Sequence, residues 1–423
     1  MGVSSSQPTR SEQVSEALRV LTDKAAPIGE KTAALAFVRG RILYRLTEKE
    51  KMAAIAAVSA ERYPMWPRRP HDASRLADDV LADKIRGLVF GAALGDATGL
   101  ATEFLTHSQV EEFYGDGFAF SPRSSKLFPD THRLMWLPGD WTDDTDQLIL
   151  LLQSLLHTGG VAEPTEFAKR LLKWREQGFG ELGDESAAGL GQHTKHVISH
   201  PAFVTSPHDT ATDYWTKGGR KSAANGAVMR TAITGVPFFW SREEVVSNTT
   251  SFCKVTHADP RCIASCVMVA VCVSEMLKGE PTGTPQAVDG LISRALNEAE
   301  AALSDSGDAY DTQELRHVVN GTLGQMVEEL RGLKLDDPRA MGYTFKCLGS
   351  ALWSLRSTAS FEVTIRQVIA EGGDADTNAT VAGALVGCRL GFSQLPSDWV
   401  AELEHASWLE AYAQKLLYML QLR

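Results

Sequence analysis

Apolar residues return every three or four positions along most of this 423-residue chain. That spacing is typical of amphipathic helices, whereas the alternating runs that indicate strands are few and short. After residue 80 the pattern predicts helices at 82–94, 146–157, 163–177, 243–252, 260–277, 286–304, 312–332, 341–356, 362–370, 379–390 and 399–421. We therefore predict an all-α fold, a compact multi-helix domain with functional residues in long loops at 102–142, 178–242 and 371–378.

Residues 1–80 are interpreted as an N-terminal extension to a catalytic domain that spans 81–423. The first eleven residues are polar and rich in serine, so we expect them to be disordered. Helical spacing follows as far as Arg62, with a predicted capping box over 47–50. A proline-rich joint at 64–70 ends these helices, because proline fixes φ and lacks a donor N–H. We expect the extension to pack on the domain as an extra layer rather than act as an independent partner-binding module.

Two sets of glycines recur at every fourth position within predicted helices. They are Gly87, Gly91, Gly95 and Gly99, and Gly383, Gly387 and Gly391. Residues four apart lie on one face of a helix, so each set presents a strip of backbone without side chains. Glycine inside a helix costs about 1 kcal/mol relative to alanine. We therefore expect both strips to pack closely against other helices.

The composition describes an acidic globular chain. Hydrophobic residues make up 43% and charged residues 22%, and the formal net charge is −11. A surplus of this sign would be repelled by nucleic acid and by anionic membrane surfaces, so we expect neither as a partner. We expect a monomer.

The chain shows no predicted membrane span. The longest apolar stretch, 262–277, is too short and too often interrupted by polar residues to cross a bilayer. We expect a cytoplasmic protein whose six cysteines are buried reduced thiols. The start Met1–Ser6 fits an N-myristoylation pattern, but no second membrane anchor lies nearby, so acylation of Gly2 is the less favoured interpretation.

Two acidic motifs, Gly139–Gln147 and Glu371–Asn378, share one pattern: a glycine turn, two aspartates with a threonine, and an apolar helix. Alone, each is explained by carboxylates capping a helix N-terminus, where N–H groups and the helix dipole favour negative charge. With two aspartates and one threonine from each, the motifs would bring together four carboxylates and two hydroxyls, and the carboxylates would repel one another without cations. Oxygen ligands select Mg²⁺ or Mn²⁺, and we predict a pair of these ions.

Five blocks then occur in a recognisable order along the chain. They are Gly95–Gly99 with Glu103, Trp141–Thr145, Asn225–Arg230, Thr256–Pro260 and Gly372–Asn378. In this order they resemble the ADP-ribosylglycohydrolase family, which includes the dinitrogenase-reductase-activating glycohydrolases and the ADP-ribosyl-acceptor hydrolases. The resemblance covers residues 82–395. It implies an all-α fold, a binuclear Mg²⁺ or Mn²⁺ centre, and an ADP-ribosylated protein as the substrate.

Carried over position by position, the resemblance implies a role for each motif residue. Glu103 takes the place of a loop glutamate used in acid–base work, and Asp143 and Asp376 are further expected catalytic residues. His257 corresponds to a histidine beside the ADP-ribose, and Asp184 to another substrate-side carboxylate. The implied diphosphate loop has fewer glycines than is usual in the family, and its contacts are Ser222, Asn225 and Gly226. The implied metal ligands are Thr142, Asp143, Asp144, Asp374, Asp376 and Thr377.

The expected function is hydrolysis of the bond between ADP-ribose and a protein side chain. Cleavage at C1 of ribose passes through an oxocarbenium-like state that carboxylates stabilise, and metal ions can orient the sugar and activate water. N-linked arginine is favoured because the resemblance implies it most often, while serine-linked and small-molecule ADP-ribosyl substrates remain open. A two-metal phosphoesterase built from the same acidic residues and a catalytically silent binding protein are less favoured. The silent protein is disfavoured because all six ligand positions are present.

Overall fold

The computed structural model describes residues 10–42, 45–124, 126–304, 312–321 and 330–422. These residues form helices and loops without a strand among them, and one isolated antiparallel bridge joins Ala224 and Tyr343. The predicted all-α class is confirmed. Residues 1–9 of the stretch expected to be disordered, with the acylation pattern at Gly2, lie outside the described part of the chain. For Arg10 and Ser11 the expectation is wrong, because both belong to the first helix.

The helices follow one another as α1 (Arg10–Thr22), α2 (Ile28–Ile42), α3 (Glu48–Ala60), α4 (Asp78–Gly99), α5 (His107–Tyr114), α6 (Asp143–His157), α7 (Pro164–Gln177), α8 (Gln192–Ile198), α9 (Pro207–Lys217), α10 (Val228–Thr231), α11 (Arg242–Lys254), α12 (Pro260–Leu277), α13 (Pro285–Ser304), α14 (Thr312–Gly321), α15 (Thr344–Arg356), α16 (Phe361–Ala370), α17 (Ala375–Leu390), α18 (Ser397–Glu402) and α19 (Ala406–Met419). Short 3₁₀ turns lie at His132–Met135, Gly180–Leu182, Ala232–Gly235 and Phe392–Gln394. Part of the helix predicted at 312–332 falls outside the described residues.

The single helix predicted at 399–421 is wrong, because α18 and α19 are separate. Leu403 has extended backbone angles, with φ −63° and ψ 129°. The next N–H, that of Glu404, leaves the helical path and donates to the carbonyl of Gly139 at 2.8 Å. Neither glycine nor proline marks the break, so the apolar pattern runs through it without a visible interruption.

The regions predicted as long loops contain short helices of their own. Helix α5 lies within 102–142, and α8, α9 and α10 lie within 178–242. A capping box between Thr106 and Gln109 opens α5, and Pro207 stands in the first turn of α9. These start signals are present in the sequence, but each helix is too short for apolar periodicity to reveal it.

The two glycine sets face each other where α4 packs against α17. A Cβ added at Gly91 would collide with the carbonyl oxygen of Gly383, and one added at Gly383 would collide with that of Gly91. At the end of α4 the same strip reaches the second acidic motif, because a Cβ at Gly99 would strike the Cα of Asp376. The prediction of close packing is confirmed, and it brings the backbone around Asp96 against the backbone around Asp376.

Helix α12 is almost entirely buried in the core. By length and composition it could cross a membrane, with a mean hydropathy of 1.6, yet 94% of this segment is buried inside the protein. Such burial is typical of the core helix of a globular domain. The six cysteines are also buried, and none of them forms a disulfide.

Helix α3 and the proline-rich joint pack into the main core. Ala54 and Val58 of α3 and Trp66 of the joint belong to the same buried cluster as α4 and α12. The predicted capping box that opens α3 is confirmed, with Thr47 as its N-cap. Helices α1 and α2 form a smaller apolar cluster of their own that includes Leu134.

The buried carboxylate of Glu404 ties α3 to the loop before α6. It pairs with Lys51 of α3 at 3.1 Å and with Arg123 at 2.5 Å. The backbone bond from Glu404 to Gly139 adds a third link at the start of the first acidic motif. The break between α18 and α19 therefore places one residue in contact with three separate parts of the chain.

We expect Gly91→Ala to destabilise the protein, because the added methyl group has no space against α17. Overpacking of this kind costs about 1–3 kcal/mol of unfolding free energy. Thermal melting followed by circular dichroism should show a lower melting temperature. Gly29→Ala in α2 is the matched control, since a Cβ there meets nothing within 4 Å. Equal melting temperatures for both variants would show that the glycine strip is not a packing constraint.

Candidate active site

The first acidic motif opens α6 and is held in place by Asp96 of α4. The N–H groups of Thr142 and Thr145 donate to the two carboxylate oxygens of Asp96 at 3.0 and 2.9 Å, and the Thr145 hydroxyl adds a bond of 2.6 Å. Asp96 lies in the block Gly95–Gly99, for which the sequence predicted no site role. A signal was available, because Asp96 is the only charged residue of α4 after Arg86.

The second acidic motif begins in a glycine turn against the loop that follows α4. Gly372 and Gly373 both have φ of +71°, a left-handed conformation that glycine adopts without strain. The Gly373 N–H donates to the Leu105 carbonyl at 2.8 Å, and the Phe104 N–H donates to the Gly373 carbonyl at 2.6 Å. These paired bonds attach the loop that carries Glu103 to the second motif.

Carboxylates from both motifs converge in one largely buried cluster. One group comprises Asp96, Asp144 and Asp376, and a second comprises Glu103, Asp374 and Asp376. Within each group, one oxygen of every residue lies within 4.8 Å of the others. Asp376 belongs to both groups, so two adjacent cation positions would meet at its side chain.

Burial and mutual repulsion raise the pKa values of the clustered carboxyl groups. Loss of hydration first, and neighbouring carboxylates second, raise the pKa of Asp144 and of Asp376 well above the usual value. Asp144 Oδ1 is buried and has no hydrogen-bond partner among the described residues. A cation would satisfy such an oxygen, and hard oxygen donors suit Mg²⁺ or Mn²⁺. The residues present therefore fit a divalent-cation centre.

The other predicted ligands lie around this cluster. The Thr142 hydroxyl is 3.4 Å from Asp376 Oδ2, and the Thr377 N–H donates to Asp376 Oδ1 at 2.9 Å. Asp143 faces the cavity described below, and its Oδ2 accepts a bond of 2.8 Å from Gln147. The structure thus brings the predicted ligand positions into one region.

Glu103 lies at the edge of the cluster in a hydrogen bond with His132. Its side chain is buried, and its Oε2 is 2.5 Å from Nε2 of His132. The guanidinium of Arg133 donates to the backbone carbonyl of Glu103 at 2.6 Å, and this bond holds the loop that carries Glu103. A carboxylate held in this way can accept or deliver a proton at the cavity surface. His132 was not predicted as a site residue, because no motif surrounds it in the sequence.

A cavity of about 950 Å³ opens over the carboxylate cluster. Its size is in the range of small-molecule binding sites. Basic side chains, those of Arg175 and Lys195, share the lining with the acidic ones. The sequence-predicted residues on the lining are Glu103, Asp143, Asp144, Asp374, Asp376, Thr377, Asn225, Gly226 and His257.

Asn225 and Gly226 connect the cluster to the cavity wall. The Asn225 side chain donates to Asp374 Oδ2 at 2.7 Å, so it orients a carboxylate of the cluster. Gly226 leaves room for an imidazole, because a Cβ there would lie 3.1 Å from Cε1 of His257. The absence of a side chain at Gly226 keeps this part of the cavity open.

His257 presents an N–H group to the cavity. Arg230 donates to the Thr256 hydroxyl at 2.7 Å, so that hydroxyl directs its own proton to Nδ1 of His257, also 2.7 Å away. The remaining proton is then on Nε2, which has no hydrogen-bond partner among the described residues. Burial, followed by the charges of His193 and Arg230, lowers the pKa of His257 well below the usual value, so the ring stays neutral.

Two predicted substrate contacts lie outside the cavity lining. The Ser222 hydroxyl is 2.7 Å from Nδ1 of His193, whose Nε2 is 2.9 Å from the Thr256 carbonyl. Because a carbonyl only accepts, His193 donates from Nε2 and accepts from Ser222. Asp184 closes a turn by accepting the Phe179 N–H at 2.9 Å. The structure does not bring Ser222 or Asp184 to the carboxylate cluster, and their contact with substrate remains a prediction.

The fold and the site together define an all-helical hydrolase in which carboxylates from two helix N-termini meet beneath one cavity. A family model described as ADP-ribosylglycohydrolase matches residues 77–423. The chain belongs to the ADP-ribosylglycohydrolase family, as the resemblance of its five blocks implied, and it is a glycohydrolase enzyme.

Named relatives and a solved structure agree with this family. The ADP-ribosylarginine hydrolase Tri1 of Serratia proteamaculans is 26% identical, over 80% of this chain and 80% of Tri1. The ADP-ribosyl-[dinitrogen reductase] glycohydrolase of Rhodospirillum rubrum is 22% identical, over 76% of this chain and 90% of the relative. A solved ADP-ribosylglycohydrolase-related protein complex matches with a TM-score of 0.56 and 24% identity, over 81% of this chain and 99% of that chain. The structural match supports the shared fold.

We expect Mg²⁺ to raise the melting temperature more at pH 8 than at pH 5. Without cations, the raised carboxyl pKa values let the folded protein hold protons that the unfolded chain releases. The contribution of these carboxyl groups to stability is therefore greatest below the usual carboxyl pKa and falls as pH rises through the raised values, such as about 6 for Asp96. Mg²⁺ binds the ionised folded state and reverses this loss. Thermal melts in chelator and in Mg²⁺ across this pH range measure the effect.

Asp376→Asn should reduce both the pH dependence in chelator and the stabilisation by Mg²⁺. Asp398→Asn, at an exposed position of α18, is the matched control and should change neither. Stabilisation by Mg²⁺ that does not depend on pH and is the same in both variants would contradict a cation site at the cluster.

Proposed function

We propose that this protein hydrolyses the N-glycosidic bond between ADP-ribose and an arginine side chain of a modified protein, with two divalent cations, Mg²⁺ or Mn²⁺. The observation that carries the proposal is the position of Asp376, at which the two carboxylate groups meet beneath the cavity. Family membership supports ADP-ribose as the released group, and the relative named as an ADP-ribosylarginine hydrolase supports arginine as the acceptor.

The chain's own contacts suggest how its acidic residues divide their work. Asp96 already accepts three hydrogen bonds, so its role is to position the first motif. Glu103 is paired with His132 and remains available for proton transfer. When bound, the cations would orient the ribose hydroxyls and lower the pKa of a water molecule. We assign the ligands as Thr142, Asp143, Asp144, Asp374, Asp376 and Thr377.

Glu103 is the proton carrier in this proposal. The oxygen of a water molecule bonds to C1 of the ribose while the C1–N bond breaks. The proton that this water loses passes through the carboxylate of Glu103 and ends on the released guanidine, which leaves as guanidinium. His132 and Arg133 hold Glu103 in the orientation that this transfer requires.

The remaining cavity surface suits the diphosphate and the nucleoside. Arg175 and Lys195 bring positive charge to the lining, and the Nε2–H of the neutral His257 ring has no acceptor among the residues that the structure describes. Gly226 keeps the wall beside His257 open. ADP-ribose would match this distribution of charge. Its anionic diphosphate would lie near the basic side chains, and cations would separate it from the acidic residues.

We expect the protein to release intact ADP-ribose from arginine-modified protein in Mg²⁺ or Mn²⁺, and to lose this activity in chelator. Asp374→Asn should reduce turnover at least about 100-fold, because it removes a charged ligand. Asp398→Asn is the charge-matched control. Chromatography of the released products measures the reaction on arginine-linked and serine-linked substrates in parallel.

Each alternative has its own product in this experiment. Release of phosphate or a nucleotide monophosphate would indicate a phosphoesterase, and turnover of the serine-linked substrate alone would reassign the linkage. Turnover that survives both chelator and Asp374→Asn would contradict the two-cation centre. No product from any substrate would indicate a binding protein.

We expect Glu103→Gln to lower kcat by about 10²–10⁴-fold with little change in KM, because the amide cannot carry the proton. Steady-state kinetics on the arginine-linked substrate measure both constants, with the exposed Glu112→Gln as control. Melting experiments should show that Glu103→Gln keeps the stabilisation by Mg²⁺. Loss of that stabilisation would instead make Glu103 a metal ligand.

A further inference from the structure

Phe104 combines an unfavourable backbone conformation with exposure at the mouth of the cavity. Its φ is +62°, in the left-handed region that bulky residues rarely adopt. Its side chain is 53% exposed although the residue is apolar and lines the cavity. The bond from its N–H to the Gly373 carbonyl holds the backbone in this state. The fold thus keeps an aromatic ring at the surface instead of burying it.

The ring of Phe104 belongs to a short aromatic row beside Glu103. It lies 4.9 Å from the ring of His132, which in turn lies 5.0 Å from the ring of Trp136. Met135 lines the same cavity and is 44% exposed. The mouth of the cavity therefore offers the exposed ring of Phe104 and the side chain of Met135 beside the carboxylate of Glu103.

We propose that Phe104 is a specificity residue whose ring stacks on the guanidinium of the ADP-ribosylated arginine. This inference rests on the proposed function, in which Glu103 faces the departing nitrogen, so the adjacent ring meets the acceptor side chain. A guanidinium is planar and cationic, stacks on aromatic faces and pairs with carboxylates. A serine acceptor has no group that would use such a face. The backbone strain at Phe104 is then the cost of presenting the ring to the substrate.

The test compares the wild type with Phe104→Ala, Phe104→Leu and Phe104→Trp, all in Mg²⁺. For the arginine-linked substrate, we expect Phe104→Ala to raise KM about tenfold with kcat changed less than about threefold. Phe104→Leu keeps the apolar bulk without the ring and should resemble Phe104→Ala, whereas Phe104→Trp should resemble the wild type. For a serine-linked substrate, KM should stay the same in every variant.

A binding measurement separates this inference from the proposed function. Agmatine, a simple guanidinium compound, is titrated calorimetrically into each variant in the presence of ADP-ribose and Mg²⁺, and its Kd should rise about tenfold in Phe104→Ala. Arginine-linked turnover with equal KM and equal agmatine affinity in wild type and Phe104→Ala would overturn the inference and leave the function standing. Wild-type behaviour of Phe104→Leu would also overturn it. Ring-dependent agmatine binding without turnover would overturn the function alone.

Discussion

The contact between α4 and α17 is the constraint on which the site depends. Glycines on both helices remove the side chains that would keep the two backbones apart, and the strip ends where Gly99 meets Asp376. Asp96, one turn earlier on α4, holds the first acidic motif through three hydrogen bonds. The second motif starts α17 itself. The packing of α4 against α17 therefore sets the separation of Asp96 and Asp376.

This arrangement is electrostatically unfavourable until something neutralises it. Burial, and after it the neighbouring carboxylates, raise the pKa of Asp144, and its Oδ1 has no hydrogen-bond partner in the described part of the chain. Glycines inside helices and buried charges both destabilise the folded protein, and both occur where α4 meets α17. Both destabilising features have one explanation if the folded protein binds cations and an anionic ligand at this place.

Much of the fold and part of the site could be predicted from the sequence. Helical spacing identified most long helices, and the repeated acidic pattern identified carboxylates that the structure brings together. The role of Asp96 could not be predicted, because it depends on a contact with residues more than forty positions later. His132 carries no local motif. The direction of the Ser222 side chain is decided by His193, which only the folded chain places beside it.

The ion pair between Lys51 and Glu404 joins α3 of the N-terminal extension to the catalytic domain. The family match begins at residue 77, yet Lys51 and the buried residues Ala54 and Val58 precede it. A chain shortened to the matched segment would leave the Glu404 carboxylate buried with one cationic partner fewer, beside the loop that leads to Asp143. The segment that the family match covers is thus shorter than the segment that shares the buried core.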